Sequence, residues 1–408
     1  VGNIIVGMDI GTSKVSTVIG RVSKTGELEV LGHGMEQCNG IKKGIIVDIE
    51  STCSSIKSAV RKAEAAAGLK ISSAYVSING IHTSIIKSRG RHAISNENRE
   101  ITSKDVDKVL LAARNIKISD DREIIDIVPQ QFIVDGYDEI IDPVGMAGLT
   151  LEVDADIITG KITSVQNIVK SMERADLKTD GLIMEALATS QIVLTQDEKE
   201  MGVILIDVGG GTTDISIFKN KNLIFNDCIT VGGDHITNDV AIGLKIPFSE
   251  AEKIKKEFEL ALSSLIKNDQ EVTVMDINEN KKKTVKVSEI VEIIEARVFE
   301  IFSLCKESLE KSQIKGEFPA GIVLTGGGIS YVDGGKELAT EVFDLPARVA
   351  LQKPDGSLKL EEITSAGIVK YVGSHSKGNA YGSDVKNQKQ KSHKQEKNLL
   401  KRIIKFFA

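Results

Sequence analysis

Short apolar blocks and glycine turns alternate along this chain in a pattern that repeats. The run Ile4-Ile5-Val6 leads into Gly7-Met8-Asp9-Ile10-Gly11-Thr12-Ser13-Lys14, followed by the alternating stretch Val15-Ser16-Thr17-Val18-Ile19. Nearly half the chain later, Val203-Ile204-Leu205 leads into Ile206-Asp207-Val208-Gly209-Gly210-Gly211-Thr212-Thr213-Asp214, followed by Ile215-Ser216-Ile217-Phe218. Strand, glycine turn, strand predicts a β-hairpin in each place. Between and beyond them, period-2 stretches predict strands near 29–34, 74–78, 124–134, 151–158 and 181–184. Helical spacing predicts helices over 49–68, 103–115, 164–175, 185–196 and 365–372. Two equivalent hairpins, each opening a segment of similar length, predict a duplicated α/β domain with a ligand held between the halves.

The two turns suit a triphosphate. Glycines let successive N–H groups approach phosphate oxygens and form an anion-binding concavity. Thr12, Ser13, Thr212 and Thr213 add hydroxyls and Lys14 adds a cation. Asp9 and Asp207, at the strand ends, are placed to hold Mg²⁺ through its waters, because Mg²⁺ dehydrates reluctantly. Neither turn is a Walker loop or a dinucleotide fingerprint, since each runs into a strand instead of a helix. A third glycine cluster, Gly326-Gly327-Gly328, follows the buried-type strand 322–325, and a fourth piece, Gly232-Gly233, precedes a helix near His235. The third cluster is expected against a purine or ribose; in isolation it reads equally as a packing device.

These residues resemble the actin/Hsp70/sugar-kinase ATPase superfamily, with its order of phosphate turn, connecting helix, phosphate turn and adenosine turn. Within it, the stretches Ile127-Val128-Pro129-Gln130-Gln131-Phe132-Ile133-Val134-Asp135-Gly136 and Ile141-Asp142-Pro143-Val144-Gly145-Met146-Ala147-Gly148 are similar to the bacterial actin-like cell-division family FtsA. So are Leu187-Ala188-Thr189-Ser190 and Gly321-Ile322-Val323-Leu324-Thr325-Gly326-Gly327. The resemblance implies a two-domain actin-like ATPase fold, built of duplicated RNase H-like cores with an α+β insert. It implies core subdomains over 1–80 with 161–198 and over 199–233 with 305–372, an insert over 81–160 and a largely helical subdomain over 234–304. Expected with it are ATP and Mg²⁺, self-association into filaments, contact with other division proteins, and capture of the tail peptide of the tubulin-like GTPase FtsZ by the helical subdomain.

Further single residues are candidates beside that resemblance. Glu185 stands where rod-shape relatives carry a water-orienting Glu, giving at most a slow ATPase; it also reads as a carboxylate favoured by a helix N-terminus. Glu252 and Lys255 are expected near ribose or adenine, or on a solvated charged face. Arg297 resembles the family's peptide-contacting Arg, suited to a carboxylate fork, although Glu300 three residues on offers it a helix partner.

Charge separates the C-terminal end from the body. The 408 residues carry a net charge of −6, yet from Ser376 onward nine Lys/Arg face two acids. An acidic body argues against nucleic acid as partner. Residues 373–396 lack apolar periodicity and read as a flexible linker. In 397–408, Leu399, Leu400, Ile403, Ile404, Phe406 and Phe407 fall within an arc of roughly 160°, while Lys397, Lys401, Arg402 and Lys405 fill the other side. This predicts an interfacial helix for anionic lipid, or else a helix docked on its own core. No run approaches the ~20 apolar residues of a membrane span, and no basic leader is visible. Four scattered cysteines lack metal or disulfide spacing, and the six His show no metal spacing. The combined expectation is a peripheral protein on the cytoplasmic face of the inner membrane at the division septum, tying the FtsZ ring to it. A sugar-kinase-like phosphotransferase, an Hsp70-type chaperone and a pilus-assembly relative share the fold but leave the terminal helix unexplained.

Overall fold

A computed structural model describes residues 3–276, 281–314, 316–329, 332–350 and 358–375. The N-terminal half opens with β1 (Ile5–Ile10), β2 (Lys14–Val22) and β3 (Leu28–Gln37), then a short hairpin of β4 (Ile41–Lys42) and β5 (Ile45–Ile46). Helix α1 (Ile49–Ala67) starts at Asp48, whose carboxylate accepts from the N–H groups of Glu50 and Ser51, and stops at Gly68 in the left-handed conformation. Next come β6 (Ser73–Ile78) and the insert, made of β7 (Thr83–Ala93), α2 (Ser103–Ala113), β8 (Arg122–Val134), β9 (Tyr137–Ile140) and β10 (Thr150–Lys161). The chain returns through α3 (Ile162–Arg174), β11 (Lys178–Met184), α4 (Glu185–Val193) and α5 (Gln196–Met201).

The C-terminal half repeats the plan. It comprises β12 (Val203–Val208), β13 (Thr213–Lys219), β14 (Asn222–Ile229), α6 (Gly233–Leu244), α7 (Phe248–Phe258), β15 (Glu271–Asp276), β16 (Lys281–Lys286), α8 (Val287–Lys311), β17 (Ile322–Thr325), α9 (Gly335–Phe343), β18 (Ala347–Val349) and α10 (Ile363–His375). The two main sheets run β3-β2-β1-β6-β11 and β14-β13-β12-β17-β18. In both, the hairpin partners are antiparallel and the inner crossovers parallel. The duplication seen in the turns is therefore a duplication of whole sheets. The insert is a separate four-stranded sheet, β7-β10-β8-β9, with α2 on one face around Val106, Val109, Leu151 and Val153.

One apolar cluster joins the halves. Ala186, Leu187 and Ala188 of α4 and Ile363, Ala366, Ile368 and Val369 of α10 pack with Val18 from one sheet and Val203, Leu205, Phe218 and Val323 from the other. The helices approach closely: a Cβ on Gly367 would lie 2.1 Å from the Ala188 carbonyl oxygen, and one on Gly7 2.1 Å from that of Ser365.

Several elements differ from the pattern-based expectation. The helix expected over 185–196 ends at Val193, because Thr195 caps a new helix: its hydroxyl accepts from Glu198 N–H, and the Glu198 carboxylate accepts from Thr195 N–H. The segment 234–304 is not helical throughout, since β15 and β16 form a hairpin in which Val274 and Val285 point inward. Helix α8 runs unbroken through 304, its buried face carrying Ile290, Ile294, Val298, Ile301 and Cys305. At the other end, α10 keeps Gly373–His375 helical where a linker was expected. The rest of that linker and the amphipathic segment 397–408 lie outside the described residues. Among the described residues, no helix is long and apolar enough to cross a membrane.

Candidate functional site

The two glycine turns have the same construction. Gly11-Thr12-Ser13-Lys14 joins β1 to β2 and is closed by Gly11 N–H donating to the Lys14 carbonyl at 2.9 Å. The turn at 209–212 joins β12 to β13 and is closed by Gly209 N–H donating to Thr212 O, also at 2.9 Å. They meet tip to tip. A Cβ on Gly210 would lie 1.8 Å from Ser13 Oγ, and one on Gly211 2.8 Å from the Thr12 side chain. Behind them opens a cleft of about 470 Å³, within the range of small-molecule and cofactor sites.

The remaining glycines interlock with the second turn. Gly233 N–H donates to Gly209 O, Asp234 N–H to Gly210 O and Gly328 N–H to Val208 O. A Cβ on Gly328 or Gly232 would come within 2.6 Å of the Gly209 carbonyl oxygen, and one on Gly326, at φ +96°, within 2.3 Å of that of Val208. Close backbone approach therefore accounts for these three. Gly327 differs: a Cβ there would meet only the ends of the Lys14 and Glu361 side chains, so this residue faces the cleft.

Carboxylates dominate the floor. Asp9 and Asp207 end β1 and β12, Asp214 pairs with Asp207 across the hairpin, and Glu185 opens α4. Ser77 Oγ donates to Asp9 at 2.7 Å; Asn79 Nδ2 donates to Glu185 at 2.8 Å and to Asp214 at 3.1 Å. Burial, reinforced by neighbouring acids, pushes the carboxyl of Asp207 up to about 6 and that of Asp214 up to about 7. Burial together with Asp214, Asp9 and Asp207 holds Glu185 well above the usual carboxylate range. Lys14 is lowered by burial, against the pull of Glu361, Asp9 and Asp207. Repulsion among these acids is what a bound cation would relieve. Among the described residues, no group of three or more His, Cys, Asp and Glu side chains is arranged to ligate a metal directly.

The cleft wall contains Asp9, Gly11, Thr12, Ser13, Lys14, Glu185, Asp207, Gly209, Gly210, Thr212, Gly233, Glu252, Lys255 and Gly326–Gly328. Gly211, Thr213 and Gly232 are not part of it. The Thr213 hydroxyl is fully buried and donates to Val231 O at 2.8 Å, so it braces the hairpin instead of reaching a ligand. Lys255 is no surface charge: at 2% exposure its ammonium donates to Thr237 Oγ1 and Gly233 O and pairs with Glu252 at 2.7 Å. Arg297 lies away from the cleft on α8, paired with Asp239 of α6 and Glu300. Sequence reasoning assigned no role to Asn79, Asp214 or Ser77. Asp214 lies at the end of the second glycine-turn segment, while Asn79 carries only the signal of a polar residue before Gly80 at a strand end.

Between about pH 4 and 7 the folded chain holds more protons at Asp207 and Asp214 than the unfolded chain does. These groups therefore lower stability as pH rises through their raised values. Asp207→Asn should make the ligand-free protein more stable at pH 8 by on the order of 1–3 kcal/mol, a gain that shrinks towards pH 4. Urea unfolding of both proteins across this range is the measurement; parallel stability curves would show that Asp207 carries no such penalty.

Comparison with known proteins agrees with this architecture. The family described as "Cell division protein FtsA" matches residues 204–371, and that described as "SHS2 domain inserted in FTSA" matches 80–159. FtsA of Pseudomonas aeruginosa is 39% identical over 350 residues, covering 86% of this chain and 83% of its own. FtsA of Bacillus subtilis is 38% identical over 367 residues, covering 90% and 83%. In fold, the chain is similar to the PilM-PilN type IV pilus biogenesis complex (TM-score 0.57, 16% identity, 92% of this chain and 98% of that one). It is also similar to MreB5 of Spiroplasma citri bound to ADP (TM-score 0.55, 16% identity, 94% and 99%). With matched turns, doubled sheets and an SHS2 insert on an actin-like fold, the chain belongs to the FtsA family of cell division proteins.

Proposed function

We propose that this protein binds ATP with Mg²⁺ between its halves, assembles into filaments, and ties the FtsZ ring to the cytoplasmic face of the inner membrane at the division septum. The observation that carries the nucleotide reading is the convergence of two identically built glycine turns, one from each duplicated sheet, on a single acid-floored cleft. N–H groups and hydroxyls of Thr12, Ser13 and Thr212 with the Lys14 ammonium suit phosphate oxygens. Asp9 and Asp207 suit an outer-sphere Mg²⁺, which would neutralise phosphate and carboxylate charge together. Glu185 is proposed to orient a water. Burial among acids raises the proton affinity of Glu185, which strengthens its carboxylate as acceptor of a proton from that water.

Gly327→Trp should fill the cleft from its one open glycine and abolish protection by Mg-ATP against thermal unfolding. Glu185→Gln should keep that protection while lowering ATP turnover by roughly 10²-fold or more. Full protection in the Trp variant would move the nucleotide elsewhere; turnover unchanged in the Gln variant would leave Glu185 structural.

The FtsZ tail peptide is proposed to dock on the outer face of α8 around Arg297. Its guanidinium is already held between Asp239 and Glu300, so a peptide carboxylate would have to share or displace those partners. Arg297→Glu should weaken binding of the peptide at least 10-fold by fluorescence anisotropy while leaving ATP protection intact. Equal affinities would remove Arg297 from the interface.

The anchor reading rests on the sequence pattern of 397–408. A single short amphipathic helix is expected to bind marginally, like one acyl chain with an association constant on the order of 10⁴ M⁻¹. Filament formation would raise effective concentration and make attachment cooperative. Deletion from Leu399 onward, and Ile403→Glu with Phe407→Glu, should abolish sedimentation with anionic liposomes. Retained sedimentation of the deletion would show another route to the membrane.

A further inference from the structure

A second cavity, about 160 Å³, lies away from the nucleotide cleft where the insert, α4, α5, α10 and the β13–β14 hairpin meet. Its walls are mixed. Ile158, Leu187, Phe218 and Leu223 give apolar surface, Asp156 an acid, and Lys199 of α5 and Lys221 cations, the latter already paired with Glu200.

Lys199 is the unusual member. It is 4% exposed, an exposure at which lysines are normally paired. Yet among the described residues no carboxylate, carbonyl or hydroxyl accepts a hydrogen bond from its ammonium. Its recorded contact is the face of the Phe218 ring, 5.6 Å from the centroid, and its charged neighbour is another cation, Lys370. Neither Asp156 in the wall nor Asp126 behind Tyr371 serves it. Asp156 accepts from Gln130 Nε2 at 2.9 Å, and Asp126 accepts from the Tyr371 hydroxyl at 3.1 Å. Burial and Lys370 together push the Lys199 ammonium down to about 8, so it still carries its proton at neutral pH. Gln130 Oε1, in the same wall, is buried without a hydrogen-bond partner. A nearly buried ammonium with no accepting partner, bordering a cavity, is disfavoured unless an anion meets it.

We propose that this cavity is a binding site for a small monovalent carboxylate with a short apolar body, its carboxylate on Lys199 and its carbons on Leu187, Leu223 and Ile158. The Asp156 carboxylate in the same wall disfavours di- and trianions such as phosphate. The volume admits several waters, or an acid of a few carbons, but not a peptide segment. Because the walls come from the insert and both halves, the occupant would tie three parts of the molecule together.

The test uses the full chain, with propionate as probe and propionamide, its uncharged isostere, as control, at matched ionic strength. Calorimetric titration should show propionate binding at least 10-fold tighter than propionamide. Lys199→Met, which keeps the stem and removes the charge, should lose at least 10-fold of the propionate affinity; Lys199→Arg should retain most of it. A folded Met variant is expected, since the substitution removes an unpaired buried charge, and its circular dichroism checks this. No propionate binding up to 50 mM, equal binding of acid and amide, or unchanged affinity in the Met variant would each overturn the proposal.

Discussion

Everything about the cleft depends on the helix pair at its base. Helices α4 and α10 form a layer between the two duplicated sheets, and each sheet buries one apolar face against them. Interiors are close-packed, so the thickness of this layer sets how far apart the sheets stand. Glycines at the crossings bring backbones together: Gly367 meets the Ala188 carbonyl, and Gly7 meets that of Ser365. With the sheets held at that spacing, hairpins from opposite halves reach each other, and Gly210 sits against Ser13. The same helix α4 carries Glu185 into the cleft at its first residue and lines the carboxylate cavity with Leu187, Ser190 and Gln191. Two sites on different sides of the molecule thus share one short rigid element.

The cleft combines opposing charge requirements. Its turns present N–H groups and hydroxyls, which favour an anion, while its floor presents four acids, which favour a cation. Neither preference is met by Lys14 alone, whose own ammonium is destabilised by burial. A polyanion carrying a divalent cation would satisfy both, and burial among like charges raises the proton affinities of Asp207, Asp214 and Glu185. Asn79 binds two of these acids at once. It thereby links β6 of one half to β13 of the other at the point where the halves meet.

Charge pairing also changes how other candidates read. Buried Lys255 and half-buried Glu252 form a unit with Thr237 that fixes α7 against α6, beside the Gly233 backbone. Arg297 likewise joins α8 to α6 through Asp239. Both cations brace helices of the C-terminal half, whatever ligand each meets. Lys199 stands apart from them, since its neighbours offer a ring face and another cation.

Local chemistry made much of this legible in advance. Glycine turns after apolar runs, the Asp48 cap and Gly68 stop of α1, and the 3.6-residue period of the helices depend on neighbours within a few residues, so the chain alone determined them. The repeated turn likewise announced a duplicated core. The Thr195–Glu198 capping box was present too, but the apolar run before it masked the break between α4 and α5. What the chain could not show was which distant groups share a space. Asn79 joins Glu185 and Asp214 across 106 and 135 residues, Asp239 claims Arg297 from 58 residues away, and Thr213 turns inward to Val231. These pairings exist only once the sheets stack on α4 and α10. Long-range contacts, unlike caps and turns, leave no local spacing to read, and the tertiary structure alone decided them.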